Sequence, residues 1–308
     1  MRCMDRTGGN GTRRRVTTAC FRLLGQAVGA CTSPLARYRK RMMQQAQDFL
    51  DECEALHAVL APLDDVTFET PTQFKQWTID NIVRHLHVWN IAADLSLTDE
   101  VAFAEFMSSM AAGVRDGKLP DFERTYLHGL AGAELRDAWR ANFHNVAQHF
   151  GEADAHLRVK WVGPDMSARS SVTARLMETW AHGQAIYDVL GQERVDGDRI
   201  GNIVRLGVNT YGWTFKNRRE EPPGPMPRLR LTAPSGAIWE YGESEDLIDG
   251  SATDFCQVVT QCRNIADTSL AVTGDVAQQW MAVAQCFAGP PQDPPAAGVR
   301  HMRNAPVA

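Results

Sequence analysis

The chain has 308 residues, with 44% hydrophobic and 22% charged side chains and a net charge of −5. These are globular values, the length suits one large or two ordinary domains, and no apolar run reaches the eighteen or more residues that cross a bilayer. Residues 1–41 hold ten Arg or Lys and one acid, leaving −14 on residues 42–308, an acidic body that argues against nucleic acid as partner.

In chain order, residues 1–41 read as a basic leader, disordered or upstream of a true start at Met42 or Met43, and no apolar segment beside a cleavage site suggests export. Met43 to Ala61 repeats Phe49, Leu50, Cys53, Leu56, Val59 and Leu60 near a 3.6 period, so a helix is expected. A loop through Pro62 and Pro71 leads to a second helix, with Thr78 as N-cap, Asp80 in the positive first turn, and Ile82, Leu86 and Trp89 as buried stripe. His85 lies beside that stripe, facing the core; His87 falls roughly 200° further round and is expected on the solvated side. Asp99 to Val114 reads as a short helix, and about Ala133 to Phe150 as another, striped by Trp139, Phe143, Val146 and Phe150. His144 and His149 point to different sides of it, in surface or capping roles. Ser171 to Leu190 is a further helix stopped by Gly191, and Arg199 to Phe215 one more.

Composition then changes. Glu221-Pro222-Pro223-Gly224-Pro225 is a stiff linker, and Arg228 to Thr232 alternates before Pro234-Ser235-Gly236 and a second run, Ala237 to Tyr241, which together read as a hairpin. Helices over Ser251 to Arg263 and Asp275 to Phe287 flank a short strand, Ser269 to Thr273. The domains expected are therefore 1–41 as leader, 42–220 as helical bundle, 226–289 as a small α+β unit, and 290–308 as a disordered Pro- and Ala-rich tail. The seven cysteines include no C-x-x-C pair and read as reduced, buried thiols of a cytoplasmic protein. No G-x-G-x-x-G, Walker A or G-x-S-x-G string is present, which counts against nucleotide cofactors and serine hydrolase chemistry.

Chemistry concentrates on the Ser171 to Leu190 helix. Glu178 and His182 are four apart, on one face, and offer a carboxylate and an imidazole to a divalent cation such as zinc; the same spacing equally suits a hydrogen-bonded surface pair. With His85 they make three ligands from two helices, the open arrangement of catalytic rather than structural metal sites, although His85 alone equally suits a core histidine bonded to a backbone carbonyl. Arg175, one turn before Glu178, either contacts an anionic substrate or pairs with an acid. Trp180 and Tyr187 are expected to pack.

Trp77-Thr78 with His85 eight residues after the tryptophan, then Glu178-x-x-x-His182, resembles the DinB-like metal-binding superfamily, and most closely its mycothiol-dependent maleylpyruvate isomerase branch. The strings TARLMETWAHGQ (173–184) and DFCQVVTQC (254–262) resemble an uncharacterised bacterial subfamily of that branch, over about residues 43–289. The resemblance implies a mainly α protein, a DinB-like four-helix bundle followed by a small α+β C-terminal domain, with a divalent metal, zinc foremost, on His85, Glu178 and His182. It implies an enzyme that activates a low-molecular-weight thiol for transfer to, or isomerisation of, a small electrophile, as a monomer or homodimer. The alternatives are a non-catalytic metal or small-ligand binding protein and a metal-assisted hydrolase. One departure stands out: the branch has an acid one turn beyond the last histidine, helping to hold the thiol, where this chain has Ala185, the nearest acid being Asp188.

Overall fold

The computed structural model describes residues 42–115 and 119–303; the basic leader and residues 304–308 lie outside this range. Four long helices form the body: α1 (Gln44–Leu60), α3 (Ile79–Thr98), α6 (Gly132–Glu152) and α7 (Ala168–Leu190). α1 packs on α6 and α7, and α3 packs on the same two from the other side, which closes a four-helix bundle. Its centre is aromatic and aliphatic: Phe49, Leu56, Ile82, Leu86, Trp139, Phe143, Leu176 and Trp180 are all fully buried.

Local chemistry sets the helix ends. Thr78 accepts from the Asn81 amide while the Asn81 side chain accepts from the Thr78 N–H, a reciprocal cap at the start of α3. Asp80 is buried in the first turn, where it accepts from the Gly132 N–H (2.9 Å) and pairs with Arg84, tying α3 to the start of α6. α7 starts at Ala168, three residues earlier than expected, capped by the Ser167 hydroxyl, which accepts from the Ser170 N–H, and stops at Gly191 in the left-handed region (φ 64°).

A single turn, α2 (Asp65–Phe68), in the loop before α3 escaped the sequence reading. α4 (Glu100–Arg115) is the short helix expected over 99–114, and together with α5 (Leu119–Tyr126), which was not expected, it covers one flank of α3. There Phe103, Phe106 and Phe122 form a second apolar cluster with Val88 and Ala92. A two-strand hairpin, β1 (Arg158–Val159) with β2 (Met166–Ser167), turns the chain around Gly163-Pro164 into α7.

Beyond the bundle, the expected single helix over 199–215 is a 3₁₀ turn (Asp198–Ile200), α8 (Gly201–Asn209) and α9 (Tyr211–Asn217), interrupted at Thr210. The expected hairpin is β3 (Arg228–Thr232) and β4 (Ile238–Tyr241), and the sheet has a strand not foreseen, β5 (Leu247–Ser251), parallel to β3. β6 (Ala271–Thr273) completes the order β4-β3-β5-β6, and α10 (Ala252–Val259) and α11 (Asp275–Val283) accompany it. One apolar core runs through both parts, from Phe49 to Phe255 and Trp280. Buried Glu52 of α1 ties them further by accepting from Arg194 and from Arg199 Nε (2.6 Å).

The tail differs from its expected disorder. Residues 290–303 lie along the protein, with Asn264 donating to the Pro295 carbonyl (2.8 Å) and the Arg303 N–H to the Asp188 carbonyl (2.9 Å). Proline-rich backbone has few hydrogen-bond donors to lose, so such a segment can be held by side chains of its neighbours. Among the described residues no helix is long and apolar enough to cross a membrane.

Candidate metal centre

α3 and α7 run side by side, and the faces that meet carry His85, Glu178 and His182. One ligand atom from each lies within 4.8 Å of the others. The Glu178 Oε2 to His182 Nε2 distance is 3.1 Å, and the two imidazole rings are 4.8 Å apart, centre to centre. The side chains of His85, His182 and Glu178 are 12%, 13% and 25% exposed, so the cluster sits just below the surface with one side open.

The protonation states suit ligation. Burial disfavours the charged Glu178 carboxylate, but the His182 hydrogen bond and the positive charges of His182, Arg175 and His85 outweigh it and hold the carboxyl down at about 2. Burial pushes the His182 imidazole below its ordinary value, and Glu178 only partly restores it. An ionised carboxylate and a neutral imidazole are the forms that donate lone pairs to a cation.

Behind His85 stands a residue that sequence reasoning missed. Glu123 of α5, 1% exposed, accepts from His85 Nδ1 (2.7 Å) and from Trp89 Nε1 (3.0 Å). A carboxylate on Nδ1 fixes that nitrogen as the donor, so Nε2 keeps its lone pair for the open side. Nothing local announces Glu123: it belongs to an eight-residue helix in a stretch that carries no long amphipathic pattern, and its partner is 38 positions away. Around the cluster the rings are close. Trp77 stacks on His182 (6.0 Å, 6°) and meets His85 edge-on (5.3 Å), and Phe74 meets His182 edge-on (4.9 Å).

The other singled-out residues fall into place around this centre. Arg175 is not at the mouth: it is 2% exposed and donates to Asn90 Oδ1 (2.9 Å) and the Leu86 carbonyl, so its charge acts on Glu178 from behind. His87, expected in solvent, is 6% exposed, because α6 covers that side of α3; burial pushes its imidazole down to about 4. His144 and His149 are surface residues bonded to Glu54 (2.6 Å) and Asp94 (2.7 Å). Trp180 is buried with its indole N–H on Asp196 (2.8 Å), and Tyr187 packs beneath Arg194. Cys53, Cys256, Cys262 and Cys286 are buried free thiols. At Ala185 the expected acid is absent, and Asp188 is occupied: both its oxygens accept from Arg263 (2.6 and 2.8 Å), and one from Gln184 (3.0 Å).

Fold and site together define a DinB-like bundle with a His/Glu/His cluster between its second and fourth long helices. A family profile, Mycothiol maleylpyruvate isomerase N-terminal domain, matches residues 49–187. Two uncharacterised proteins of Mycobacterium tuberculosis, MT0041 (strain CDC 1551 / Oshkosh) and Rv0036c (strain ATCC 25618 / H37Rv), are 37% identical over 246 residues, 79% of this chain and 95% of theirs. The chain belongs to the mycothiol-dependent maleylpyruvate isomerase branch of the DinB-like superfamily. Among solved structures it is similar to the mycothiol-dependent maleylpyruvate isomerase (TM-score 0.49, 15% identity, 75% of this chain and 92% of that one). A histidine-to-alanine mutant of that isomerase gives a TM-score of 0.45 at 15% identity, over 70% and 87% of the two chains.

Proposed function

We propose that this protein is a metal-dependent enzyme that activates a low-molecular-weight thiol for addition to a small electrophile, with isomerisation or thiol transfer as the outcome. The observation that carries the proposal is the convergence of His85, Glu178 and His182 within 4.8 Å on one open side, with His85 oriented by buried Glu123. Two imidazoles and a carboxylate suit a first-row divalent ion, zinc foremost, and three protein ligands leave a coordination position free. A cation there would supply Lewis acidity, lowering the pKa of a thiol in the open position.

The chain's own residues do the rest. Glu123 keeps the His85 lone pair aimed outward, and the His182 hydrogen bond, with the Arg175 charge behind it, keeps Glu178 ionised well below neutral pH. Trp77 and Phe74 wall the cluster with rings, which lowers the local dielectric and restricts water, so a sulfur anion there is less solvated and more nucleophilic. His182, whose affinity for protons is weakened, stays neutral and does not compete for the thiol's proton.

The test is turnover. Zinc-loaded protein is incubated with mycothiol, bacillithiol or glutathione and either monochlorobimane or maleylpyruvate. We expect one thiol to give a metal-dependent rate; no rate above buffer with any of them overturns the enzymatic reading. The absence of an acid at Ala185 and the engagement of Asp188 by Arg263 favour a second reading, a binding protein of the same fold, which that negative result would leave standing.

A further inference from the structure

Three arginines are buried among the described residues, and two of them meet a carboxylate. Arg84 bonds Asp80, and Arg263 bonds Asp188 through two N–H groups (2.6 and 2.8 Å). Arg175 does not. It donates from Nε to Asn90 Oδ1 (2.9 Å) and from Nη2 to the Leu86 carbonyl (3.4 Å), and it forms no ion pair among the described residues. Asn90 is fully buried, and its Nδ2 has no hydrogen-bond partner. An aspartate in that place would accept the same bond, strand no N–H group and cancel the charge, which is how a buried guanidinium is ordinarily accommodated. The amide instead leaves the charge of Arg175 in force. The groups within reach of that charge belong to the metal cluster. Glu178 lies one turn further along α7, Glu123 stands behind His85, and these are the carboxylates whose charges act on Arg175. Cys53, also near, is a thiol that burial keeps protonated and neutral.

We propose that Arg175, kept unneutralised by Asn90, sets the electrical balance of the cluster: it loosens the hold of His85, Glu178 and His182 on a divalent cation and makes their open side selective for an anion over a neutral ligand. This deepens the reading of the cluster as a metal site and rests on it. Glu178 and Glu123 carry the two negative charges that balance a dication, and Arg175 adds a positive charge that neither is left to cancel. An excess positive charge in a low-dielectric interior favours one more negative charge at the nearest accessible point, which here is the open side. A cation less fully neutralised by its protein ligands also keeps more of its Lewis acidity. Arg175 touches neither the cluster nor its open side, so its role is that of a positioning residue acting through charge. The direction of the effect separates it from a structural role. An arginine that merely held α3 against α7 would, when removed, let the ligands drift and weaken metal binding; an arginine that repels the cation would, when removed, strengthen it. Unit charges about 10 Å apart in an effective dielectric of about 20 alter an equilibrium roughly tenfold, and a dication feels more.

The test neutralises the charge from two sides in the full-length protein. Arg175→Met removes it; Asn90→Asp leaves the arginine in place and gives it the carboxylate it lacks, at almost unchanged volume. Zinc affinity is measured by competition with a chelating dye. Azide and imidazole, an anionic and a neutral ligand, are titrated into the cobalt(II)-loaded protein and followed by visible absorption. Both variants should bind zinc roughly tenfold more tightly than the wild type and azide roughly tenfold less tightly, with imidazole little changed. Arg175→Lys, which keeps the charge, should stay close to the wild type. If Arg175→Met does not fold, Asn90→Asp decides alone. Zinc and azide affinities in Asn90→Asp equal to those of the wild type overturn the inference, and so does weaker zinc binding in that variant, the mark of a structural arginine. Azide and imidazole weakened alike would report a blocked open side and overturn it too. A wild type that binds no zinc sinks the metal reading and this inference with it. Zinc binding with the expected shifts, in a protein that turns over no thiol, sinks the proposed reaction and leaves the role of Arg175 standing.

Discussion

His85 and His87 leave α3 two residues apart and end in opposite settings. His85 meets a buried carboxylate on one nitrogen and an open, electron-rich cluster on the other. His87 is buried against α6 with its Nδ1 unpaired, and burial pushes its imidazole down to about 4, the Asn142 side chain offsetting only part of the shift. Burial is common to both, so burial does not make a site. The difference is Glu123: a fixed negative charge behind the ring orients His85 with its free nitrogen toward Glu178 and His182, as the proposed metal site requires, and His87 has no such charge behind it.

The largest effect should come from removing a member of the cluster. His182→Ala should drop bound zinc from about one ion per chain to none in metal analysis, since two remaining ligands do not compete with water and buffer. Unchanged stoichiometry would show that the metal, if any, is held elsewhere, and the contrast between the two sides of α3 would lose its meaning.

The opposite side should show itself in acid. An imidazole that takes its proton at about 4 when folded and near 6.5 when unfolded contributes stability that is complete above pH 6.5 and lost as the pH falls toward 4, because the unfolded chain binds the proton first. The loss is on the order of 3 kcal/mol across that window. His87→Leu should remove this slope from the pH dependence of urea unfolding while costing little at pH 7, the imidazole having an unsatisfied nitrogen there. A variant as acid-sensitive as the wild type would mean that other groups carry the dependence.

These two residues also mark what the sequence made legible. Thr78 as cap, the Ile82 and Leu86 stripe, Gly191 as stop, and the order of helices follow from local rules, because caps and 3.6-residue periods are written in neighbouring residues. That His85, Glu178 and His182 meet follows once their helices are adjacent. His87 was misplaced because periodicity locates one buried stripe, whereas α3 is covered on several sides, by α6 and α7 of the bundle and by α4 and α5 outside it. Glu123 and β5 were invisible for a related reason. Each depends on a partner far along the chain: Glu123 on His85, and Leu247–Ser251, which contains Gly250, on β3 in parallel. Residues 290–303 looked structureless because their order comes from groups elsewhere, such as Asn264, Gln73 and Asp188.

Glu123 itself can be tested without any turnover. Glu123→Gln preserves shape and can still accept from Trp89, but it removes the charge that fixes the His85 tautomer. Zinc affinity, measured by competition with a chelating dye, should fall about 10- to 100-fold, the range for outer partners of ligating histidines. An unchanged affinity would reduce Glu123 to a packing residue and erase the distinction between the two sides of the helix.

The smallest expected effect concerns backbone strain in the loop beside the cluster. Lys75 and Gln76 lie in succession in the left-handed region (φ 51° and 58°), in the loop that carries Phe74 and Trp77 to His182. Each such residue costs roughly 1–2 kcal/mol when it is not glycine. The loop is held there by a bridge between Pro71 and Thr78, by Thr72 N–H on the Trp77 carbonyl (2.8 Å), and by Trp77 N–H on the Phe74 carbonyl (2.9 Å). Gln76→Gly should relieve the strain but enlarge the unfolded chain's freedom, leaving a net stabilisation of about 0.5–1 kcal/mol in urea unfolding. Gln76→Ala removes the same side chain and keeps the strain, so it should give no gain. If alanine stabilises as much as glycine, the cost lay in the glutamine side chain and not in the backbone, and the loop is not strained on behalf of the ring wall it supports.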